Sequence, residues 1–202
     1  HFTRDVSHEL RTPITISQGA LTLLQQTNLD PQQQELVQRI NNAQLQIEQS
    51  LEVLLALARE EPKAYEPCKL LPLVEKSILQ QYQYLADPNI NIEVNIDQTQ
   101  CVTVDHTQLL ILLNNLIGNA FKYTSSGTVA ISYNNDILSI SDTGKGICTS
   151  LKNNALDAGV KGKHSSGLGQ GLNIVKRLCE QLKIAFSITS SSNGTHVQLK
   201  FS

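Results

Sequence analysis

Two apolar stripes at helical spacing within the first 60 residues constrain the fold more than any other feature of the sequence. In both stripes, apolar or small residues recur every three or four positions, which predicts two amphipathic helices. The first stripe comprises Val6, Leu10, Pro13, Ser17, Leu21 and Leu24, and the second comprises Leu36, Ile40, Ala43, Ile47, Leu51, Leu54 and Ala58. Between them, Asp30 is a predicted N-cap and Pro31 a predicted first helical residue. The pattern predicts an antiparallel helical hairpin.

One hairpin offers a single apolar seam per helix, which is too small a core to be stable alone. Two hairpins packed as a four-helix bundle would bury both seams. We therefore expect the chain to form a homodimer through residues 1–60.

The pattern changes beyond the hairpin. Residues 60–67, EEPKAYEP, contain two prolines and end the second helix, so we predict a linker at 61–67. Residues 68–202 mix two patterns, with helices predicted near 72–86, 105–123 and 169–182 and strands near 90–96, 128–133, 137–141, 184–189 and 197–201. This mixture predicts an α+β chain in which an α/β sandwich, one sheet with helices on one face, follows the hairpin.

Composition excludes several classes of protein. Of the 202 residues, 40% are hydrophobic and 17% charged, which is typical of a globular protein. The net charge is −2, so no nucleic-acid partner is expected. No apolar run approaches the roughly 18 residues that a membrane span needs, so we expect no membrane contact in this stretch. Because the sequence contains no methionine, we expect a fragment or a processed form of a longer protein.

The four cysteines are spread along the second part of the chain, at Cys68, Cys101, Cys148 and Cys179. None belongs to a C-x-x-C pair, so no zinc site is predicted. We expect free thiols in a reducing compartment.

Residues 7–13, SHELRTP, carry the first chemically competent side chains. On a helical wheel at about 100° per residue, measured from Val6, the stripe residues lie within about 60° of zero, whereas His8 lies at about 200° and Thr12 at about 240°. We therefore predict that both side chains face solvent. Glu9 can accept a hydrogen bond from one imidazole nitrogen and leave the other free as a nucleophile. Pro13 removes a helical hydrogen bond to the Glu9 carbonyl at a cost of roughly 3 kcal/mol, which a hinge beyond a reactive histidine would explain. On these residues alone, an ordinary surface histidine remains the alternative.

Residues 115–123, NLIGNAFKY, fall late in a predicted helix. Asn115 and Asn119 are one turn apart on the same face, and Lys122 lies three positions further along that side. Amide oxygens can complete a Mg²⁺ shell that otherwise consists of phosphate oxygens and waters. A lysine ammonium can contact phosphate. By themselves, these residues fit a solvated helix face equally well.

Two glycine-rich segments follow. Residues 142–147, DTGKGI, come directly after a predicted strand, where the carboxylate of Asp142 could accept a hydrogen bond from an exocyclic amine such as that of adenine. Gly144 and Gly146 would let the backbone approach a ligand closely. Residues 167–172, GLGQGL, lead into an amphipathic helix, and glycine-rich backbone at a helix N-terminus binds anions. The spacing matches neither the Rossmann fingerprint nor the Walker A loop.

Taken in this order, the four motifs resemble those of the sensor histidine kinases of two-component signalling. The resemblance covers nearly all 202 residues, as a dimerisation and histidine-phosphotransfer hairpin followed by an ATP-binding domain of the kind shared with gyrase, Hsp90 and MutL. Residues 8–13 resemble the family's H box, 115–123 its N box, 142–146 its G1 box and 167–172 its G2 box. The resemblance implies an ATP-dependent protein histidine kinase that uses Mg²⁺.

The resemblance also implies roles for the residues of the hairpin. His8 would be phosphorylated by ATP, and Glu9 would orient its imidazole and take its proton. Thr12 would position water when the same protein dephosphorylates its partner. That partner would be a response regulator, whose receiver domain accepts the phosphoryl group on an aspartate. The family's usual location implies the cytoplasmic portion of a membrane-bound sensor protein.

For the second domain, the resemblance implies a set of nucleotide-binding residues. Asn119 would bind Mg²⁺ with the assistance of Asn115, Lys122 would contact phosphate, and Asp142 would bind adenine. The full implied set is Asn115, Asn119, Lys122, Tyr123, Asp142, Gly144, Gly146, Gly167, Gly169, Gly171 and Leu172.

Asn115 distinguishes a kinase from the ATP-driven clamps that share this fold. In those ATPases, a glutamate four residues before the Mg²⁺-binding asparagine activates water. An asparagine amide is no base near neutral pH. We therefore expect slow ATP hydrolysis and a γ-phosphoryl group that stays available to His8.

Two departures from the family pattern keep alternatives open. The segment from Asp142 to Gly167 is short and lacks the phenylalanine of the family's F box, with Leu156 the candidate in its place. Gln170 replaces the usual apolar residue between the last glycines. One alternative is a degenerate dimeric module that binds nucleotide or a partner without kinase activity. The other is a response-regulator phosphatase that works through Thr12.

Overall fold

A computed structural model describes residues 2–57, 65–146 and 168–201 of the chain. The chain divides into two compact units, His1–Glu61 and Pro62–Ser202. The first unit contains helices α1 (Phe2–Gln25) and α2 (Pro31–Leu57), which pack against each other as a hairpin. In the described ranges, no helix is both long enough and apolar enough to span a membrane.

The start of α2 is fixed by two reciprocal hydrogen bonds. Asp30 Oδ1 accepts from the backbone N–H of Gln33 at 2.8 Å, and Gln33 Oε1 accepts from the backbone N–H of Asp30 at 3.0 Å. This capping box satisfies N–H groups that otherwise lack a partner at a helix start. The predictions that Asp30 caps this helix and that Pro31 is its first residue are confirmed.

The contact between α1 and α2 uses only part of the predicted stripes. Leu21 of the first stripe is buried, but Pro13 and Ser17 are exposed. Beside Leu21, half-buried Ile14 and Gln18 line this contact on α1, and Val37 and Gln44 line it on α2. Apart from Leu21, each of these inner residues follows a stripe position by one residue, so the hairpin interface is shifted about 100° around each helix from the predicted stripes.

Most of the described α2 stripe therefore faces away from α1. Leu36, Ile40 and Ile47 are 49%, 54% and 58% exposed, and Ala43 on the same face is exposed as well. A contiguous row of large apolar side chains on a helix is typical of an association surface. This apolar face is uncovered in a single hairpin, and a second copy of the hairpin is the occupant that the sequence predicts.

The second unit combines a small and a large sheet with three α-helices among its described residues. Its elements are β1 (Glu66–Lys69), α3 (Leu70–Gln81), β2 (Asn91–Asn95), β3 (Cys101–Val104), α4 (His106–Tyr123), β4 (Thr128–Asn134), β5 (Ile137–Asp142), α5 (Leu168–Leu182), β6 (Ala185–Ser191) and β7 (Gly194–Lys200). The large sheet has the order β2-β4-β5-β7-β6, in which β2 pairs parallel to β4 and the other neighbours are antiparallel.

One face of the large sheet forms the core together with the helices. Alternate residues of β4, β5 and β7 are buried on that face, as are the large apolar residues of α4. The core members of these elements are Leu109, Leu112, Leu113, Leu116, Ile117, Phe121, Val129, Ile131, Leu138, Ile140, Val197 and Leu199. The intervening residues on the other face, such as Ser139 and Gln198, are only half-buried. The prediction of an α+β chain with a sheet covered by helices on one face is confirmed.

Two features differ from those that the sequence predicts. Strands β1 and β3 pair as a separate two-stranded sheet that was not predicted, and β1 includes the last two residues of the predicted linker, Glu66 and Pro67. Proline disfavours a strand interior, and it is tolerated here in a short strand that pairs on one side. Helix α3 ends at Gln81, five residues before its predicted end, and a 3₁₀ turn follows at Tyr82–Tyr84.

We predict that Ile40→Lys prevents self-association of the chain. A charge in the middle of the exposed α2 row would have to be buried against a second hairpin without a partner, which is strongly unfavourable. Sedimentation equilibrium would report the change as a shift from dimer to monomer. Glu35→Lys, on the same helix but outside the row, is the control and should leave the dimer intact. A dimeric Ile40→Lys variant would show that this row is not the association surface.

Candidate functional site

A cavity lies in the second unit between α4 and the large sheet. The space around it that is free of protein atoms is about 520 Å³, which includes open solvent. Most of its lining is apolar, and four residues proposed from sequence, Asn119, Tyr123, Asp142 and Gly146, meet around it. The full lining is Leu116, Asn119, Ala120, Tyr123, Ile140, Asp142, Gly146, Ile188, Thr195 and Val197. The fold thus joins residues of the 115–123 motif with residues of the 142–147 motif.

Asp142 supplies the carboxylate of this cavity. It is the last residue of β5 and pairs with Thr195 of β7. Its Oδ1 accepts hydrogen bonds from the backbone N–H groups of Gly144, at 2.9 Å, and Thr195, at 3.3 Å. Burial nevertheless raises the pKa of this carboxyl, and the hydrogen bonds from Gly144 and Thr195 only partly oppose that rise. A partly desolvated carboxylate in an apolar cavity gains from an additional donor on a ligand.

Two glycines after Asp142 let the backbone pass close to neighbouring segments of the chain. A Cβ atom on Gly144 would lie 2.4 Å from the carbonyl oxygen of Tyr123, and one on Gly146 would lie 1.8 Å from that of Ser191. Gly146 also has a φ of +66°, which side-chain-bearing residues rarely adopt. Both positions therefore require glycine, and the expected approach of this backbone to a ligand stays a prediction.

Two lysines flank the aromatic ring at the end of α4. The Nζ atoms of Lys122 and Lys145 lie 5.5 Å and 5.9 Å from the centroid of the Tyr123 ring. Cations at this distance are attracted to an aromatic face. Burial raises the pKa of Tyr123, so its hydroxyl stays protonated. Two positive charges near the cavity favour an anionic ligand.

The two asparagines of α4 differ in environment. Asn119 lines the cavity, whereas Asn115, one turn earlier, is buried and lies outside the lining. Among the described residues, no group of three or more histidine, cysteine or acidic side chains could hold a metal ion. A neutral amide oxygen fits a Mg²⁺ ion whose other ligands are phosphate oxygens and waters. The donor set at the cavity thus suits an ion that arrives with a nucleotide.

Several predicted site residues lie, wholly or in their side chains, outside the residues that the structure describes. His8 belongs to α1, but its side chain is outside the described residues, so its predicted exposure stays a prediction. Glu9 and Thr12 of the same motif are both exposed, as predicted for Thr12. Gly167 lies outside the described residues, as does the segment with Leu156. At three further predicted site residues, only the backbone of α5 is described: Gly169, Gly171 and Leu172.

Part of the cavity lining was not predicted from the sequence. Thr195 contacts Asp142 from 53 residues further along the chain, a contact that depends on the pairing of β5 with β7. Ile188 and Val197 were assigned only to strands. Lys145 was not predicted either, although it lies inside the 142–147 motif, where its positive charge could have indicated an anion-binding residue. The three described cysteines, Cys68, Cys101 and Cys179, are free thiols as expected.

Two family models match the chain, one in each unit. The His Kinase A (phospho-acceptor) domain matches residues 1–63, and the Histidine kinase-, DNA gyrase B-, and HSP90-like ATPase matches residues 104–202. The chain belongs to the sensor histidine kinases of two-component signalling. The first match contains the HELRTP motif at 8–13, and the second contains the whole cavity lining.

Named relatives agree with this assignment. The chain is 33% identical to the sensor protein BasS of Salmonella typhimurium, in an alignment that covers 96% of the chain and 56% of BasS. It is 26% identical to the sensor histidine kinase YkoH of Bacillus subtilis, over 100% of the chain and 47% of YkoH. It therefore spans about half the length of these curated relatives.

A solved structure shows the same architecture. The chain resembles the Acinetobacter baumannii histidine kinase AdeS with a TM-score of 0.62 and 25% identity, over 96% of this chain and 97% of that one. The cytoplasmic segment of histidine kinase QseC, at 19% identity and a TM-score of 0.57, shares the fold.

We predict that Gly146→Ala lowers the free energy of unfolding of the second unit by about 1–3 kcal/mol, because alanine is strained at positive φ and its Cβ would clash with Ser191. The control is Gly19→Ala on α1 in the other unit, where nothing lies within 4 Å of the added Cβ, and it should leave the unfolding of the second unit unchanged. All five tyrosines lie in the second unit, so tyrosine fluorescence during urea unfolding follows that unit. Equal stability of Gly146→Ala and the wild type would contradict the prediction.

Proposed function

We propose that this chain is the catalytic core of a histidine autokinase, which transfers the γ-phosphoryl group of ATP to His8 and then to an aspartate of a response regulator. The observation that carries the proposal is the cavity of the second unit. It combines an apolar lining, one partly desolvated carboxylate and two nearby lysines within a histidine kinase-type ATPase domain. The acceptor histidine lies in the domain that matches the family's phospho-acceptor domain.

The cavity suits adenine at its carboxylate end. Asp142 would accept a hydrogen bond from the exocyclic amine, as a third partner beside Gly144 and Thr195. The side chains of Leu116 and Ile188 would contact the faces of the base, since both line the cavity. Apolar walls with a few placed polar groups are typical of sites for small ligands.

The phosphates would extend toward the end of α4. Lys122 and Lys145 flank Tyr123 there and would offset the charge of the triphosphate. Asn119 would contribute its amide oxygen to Mg²⁺, with Asn115 behind it on the same helix. When bound, Mg²⁺ would neutralise phosphate charge and orient the γ-phosphoryl group for transfer.

The acceptor step uses the first helix. One imidazole nitrogen of His8 would attack the γ-phosphorus in line, while the bond to the oxygen that bridges the β- and γ-phosphates breaks and ADP leaves. Glu9, which is exposed beside it, would accept the proton from the other imidazole nitrogen. Asn115 stands where the related ATPases have a glutamate that acts as a base. Because an asparagine amide would not activate a water molecule for hydrolysis, the phosphoryl group would pass to the histidine.

The family match also supports dimerisation and a response-regulator partner in general terms. For this chain, we propose the exposed α2 row, centred on Ile40, as the dimer surface. The phosphoryl group would pass from His8 to the receiver domain of a separate protein. Thr12, exposed one turn after His8, would serve the reverse dephosphorylation.

We predict that incubation with γ-labelled ATP and Mg²⁺ labels the wild-type chain and leaves His8→Gln unlabelled. A phosphohistidine is labile in acid and stable in base, so the label should show that behaviour. His106→Gln, which removes an exposed histidine at the start of α4, is the matched control and should label normally. An unlabelled wild type that still binds ATP would favour the degenerate binding module instead.

We predict that Asp142→Asn weakens ATP binding about 5- to 150-fold, because an amide N–H would face the adenine amine and leave both donors unpaired, at about 1–3 kcal/mol. The same change should favour folding at neutral pH. The pKa of Asp142 is raised in the folded state, so its contribution to stability is present in acid and is lost as the pH rises through that raised pKa.

Equilibrium binding of a fluorescent ATP analogue and urea unfolding across the acid-to-neutral range would measure both effects. Asp136→Asn is the control, since Asp136 is exposed in the β4–β5 turn at a positive φ that asparagine tolerates. Unchanged ATP affinity in Asp142→Asn would exclude the proposed adenine contact.

A further inference from the structure

A buried glutamine links the two helices of the hairpin. Gln44 of α2 is 7% exposed, and its Nε2 donates a hydrogen bond to the backbone carbonyl oxygen of Ile14 on α1 at 2.6 Å. A buried amide contributes little net stability even when it is bonded, and an apolar side chain would be less costly to bury at this position. We therefore expect this contact to fix the position of α1 relative to α2 more than to stabilise the hairpin.

The acceptor of this hydrogen bond lies one residue beyond Pro13. Proline has no backbone N–H, so the carbonyl of Glu9 lacks the helical hydrogen bond that residue 13 would otherwise donate. Helix α1 nevertheless continues on both sides of this position. Because sharp bends in helices occur at proline, the stretch from residue 9 to residue 13 is where α1 can change direction, and it defines a pivot.

The backbone directly after the pivot is held by two side chains. The carbonyl oxygen of Ile14 accepts from Gln44 Nε2 and also from Ser17 Oγ, the latter at 3.0 Å. The Ser17 contact stays within α1, whereas the Gln44 contact crosses to the other helix. Leu21 and Val37 pack further along the same interface. The part of α1 after the pivot is thus anchored to α2.

We propose that Gln44 is a positioning residue for the phosphorylation of His8, because it fixes the α1 backbone directly beyond the pivot. This inference rests on the function proposed above. His8 precedes Ile14 by six residues, which is about 9 Å along a helix axis. A small change of direction at the pivot therefore displaces the imidazole. A displacement of about 1 Å can lower the rate of an aligned transfer about 100-fold.

The test uses the full chain and three variants. Gln44→Leu has a similar volume and no donor, whereas Gln44→Asn keeps the amide but shortens the side chain by one methylene. Gln32→Glu changes an exposed glutamine of the same helix and is the control. Initial rates of labelling over a range of ATP concentrations give kcat and KM for each protein. Circular dichroism checks that each variant is folded. If Gln44→Leu does not fold, the rates of Gln44→Asn alone test the inference.

Both Gln44 variants should lower kcat at least about tenfold and change the KM for ATP less than about twofold, because the cavity belongs to the other unit. Gln32→Glu should match the wild type. If the wild type is labelled and folded Gln44 variants keep its kcat, or if they alter only the KM, the inference is wrong while the proposed function stands. If the wild type itself takes no label, the proposed function fails and the inference fails with it.

Discussion

The antiparallel pairing of β5 with β7 is the constraint on which the candidate site depends. Its register sets Asp142 opposite Thr195, whose backbone N–H donates to the carboxylate. Because side chains alternate along a strand, a slip of one residue would turn Asp142 out of the cavity. One position away, on the opposite face of the sheet, Ser141 Oγ lies 2.6 Å from His196 Nδ1. That hydrogen bond stabilises the same register from the outer side.

Helix α4 connects the hydrophobic core with the chemistry of the cavity. Its apolar side packs on the sheet, with Phe121 fully buried, while Asn119 and Tyr123 line the cavity. Burial of Asn115 on the same helix and of the Asp142 carboxylate costs folding free energy that apolar residues would not cost. Polar groups buried at a cost in stability, in a cavity or next to it, are typical of sites that bind or react. The hairpin has its own example in the amide of Gln44.

The order of motifs along the chain was enough to predict the family, because all four motifs resemble those of a known family and follow one another in the same order. The hairpin turn was also predictable, since Asp30 and Gln33 form their capping box within four residues. Thr195 and Ile188 were not, because they reach the cavity only through strand pairing over long sequence separation. Strand β1 was missed because Pro67 argues against a strand, and its pairing with β3 outweighs that local preference. Lys145 was overlooked although it lies inside a recognised motif.

The sequence by itself determined the helical hairpin, the mixed second unit and the identity of the motif residues, because helical periodicity, capping and glycine spacing are local properties. The tertiary structure decided which faces these elements use. It turned Ile14 and Gln44 into the hairpin interface and left Ile40 exposed, although simple periodicity favoured a single apolar stripe. It also brought Asp142 and Thr195 together. Such contacts depend on packing and register between distant segments, which no local pattern encodes.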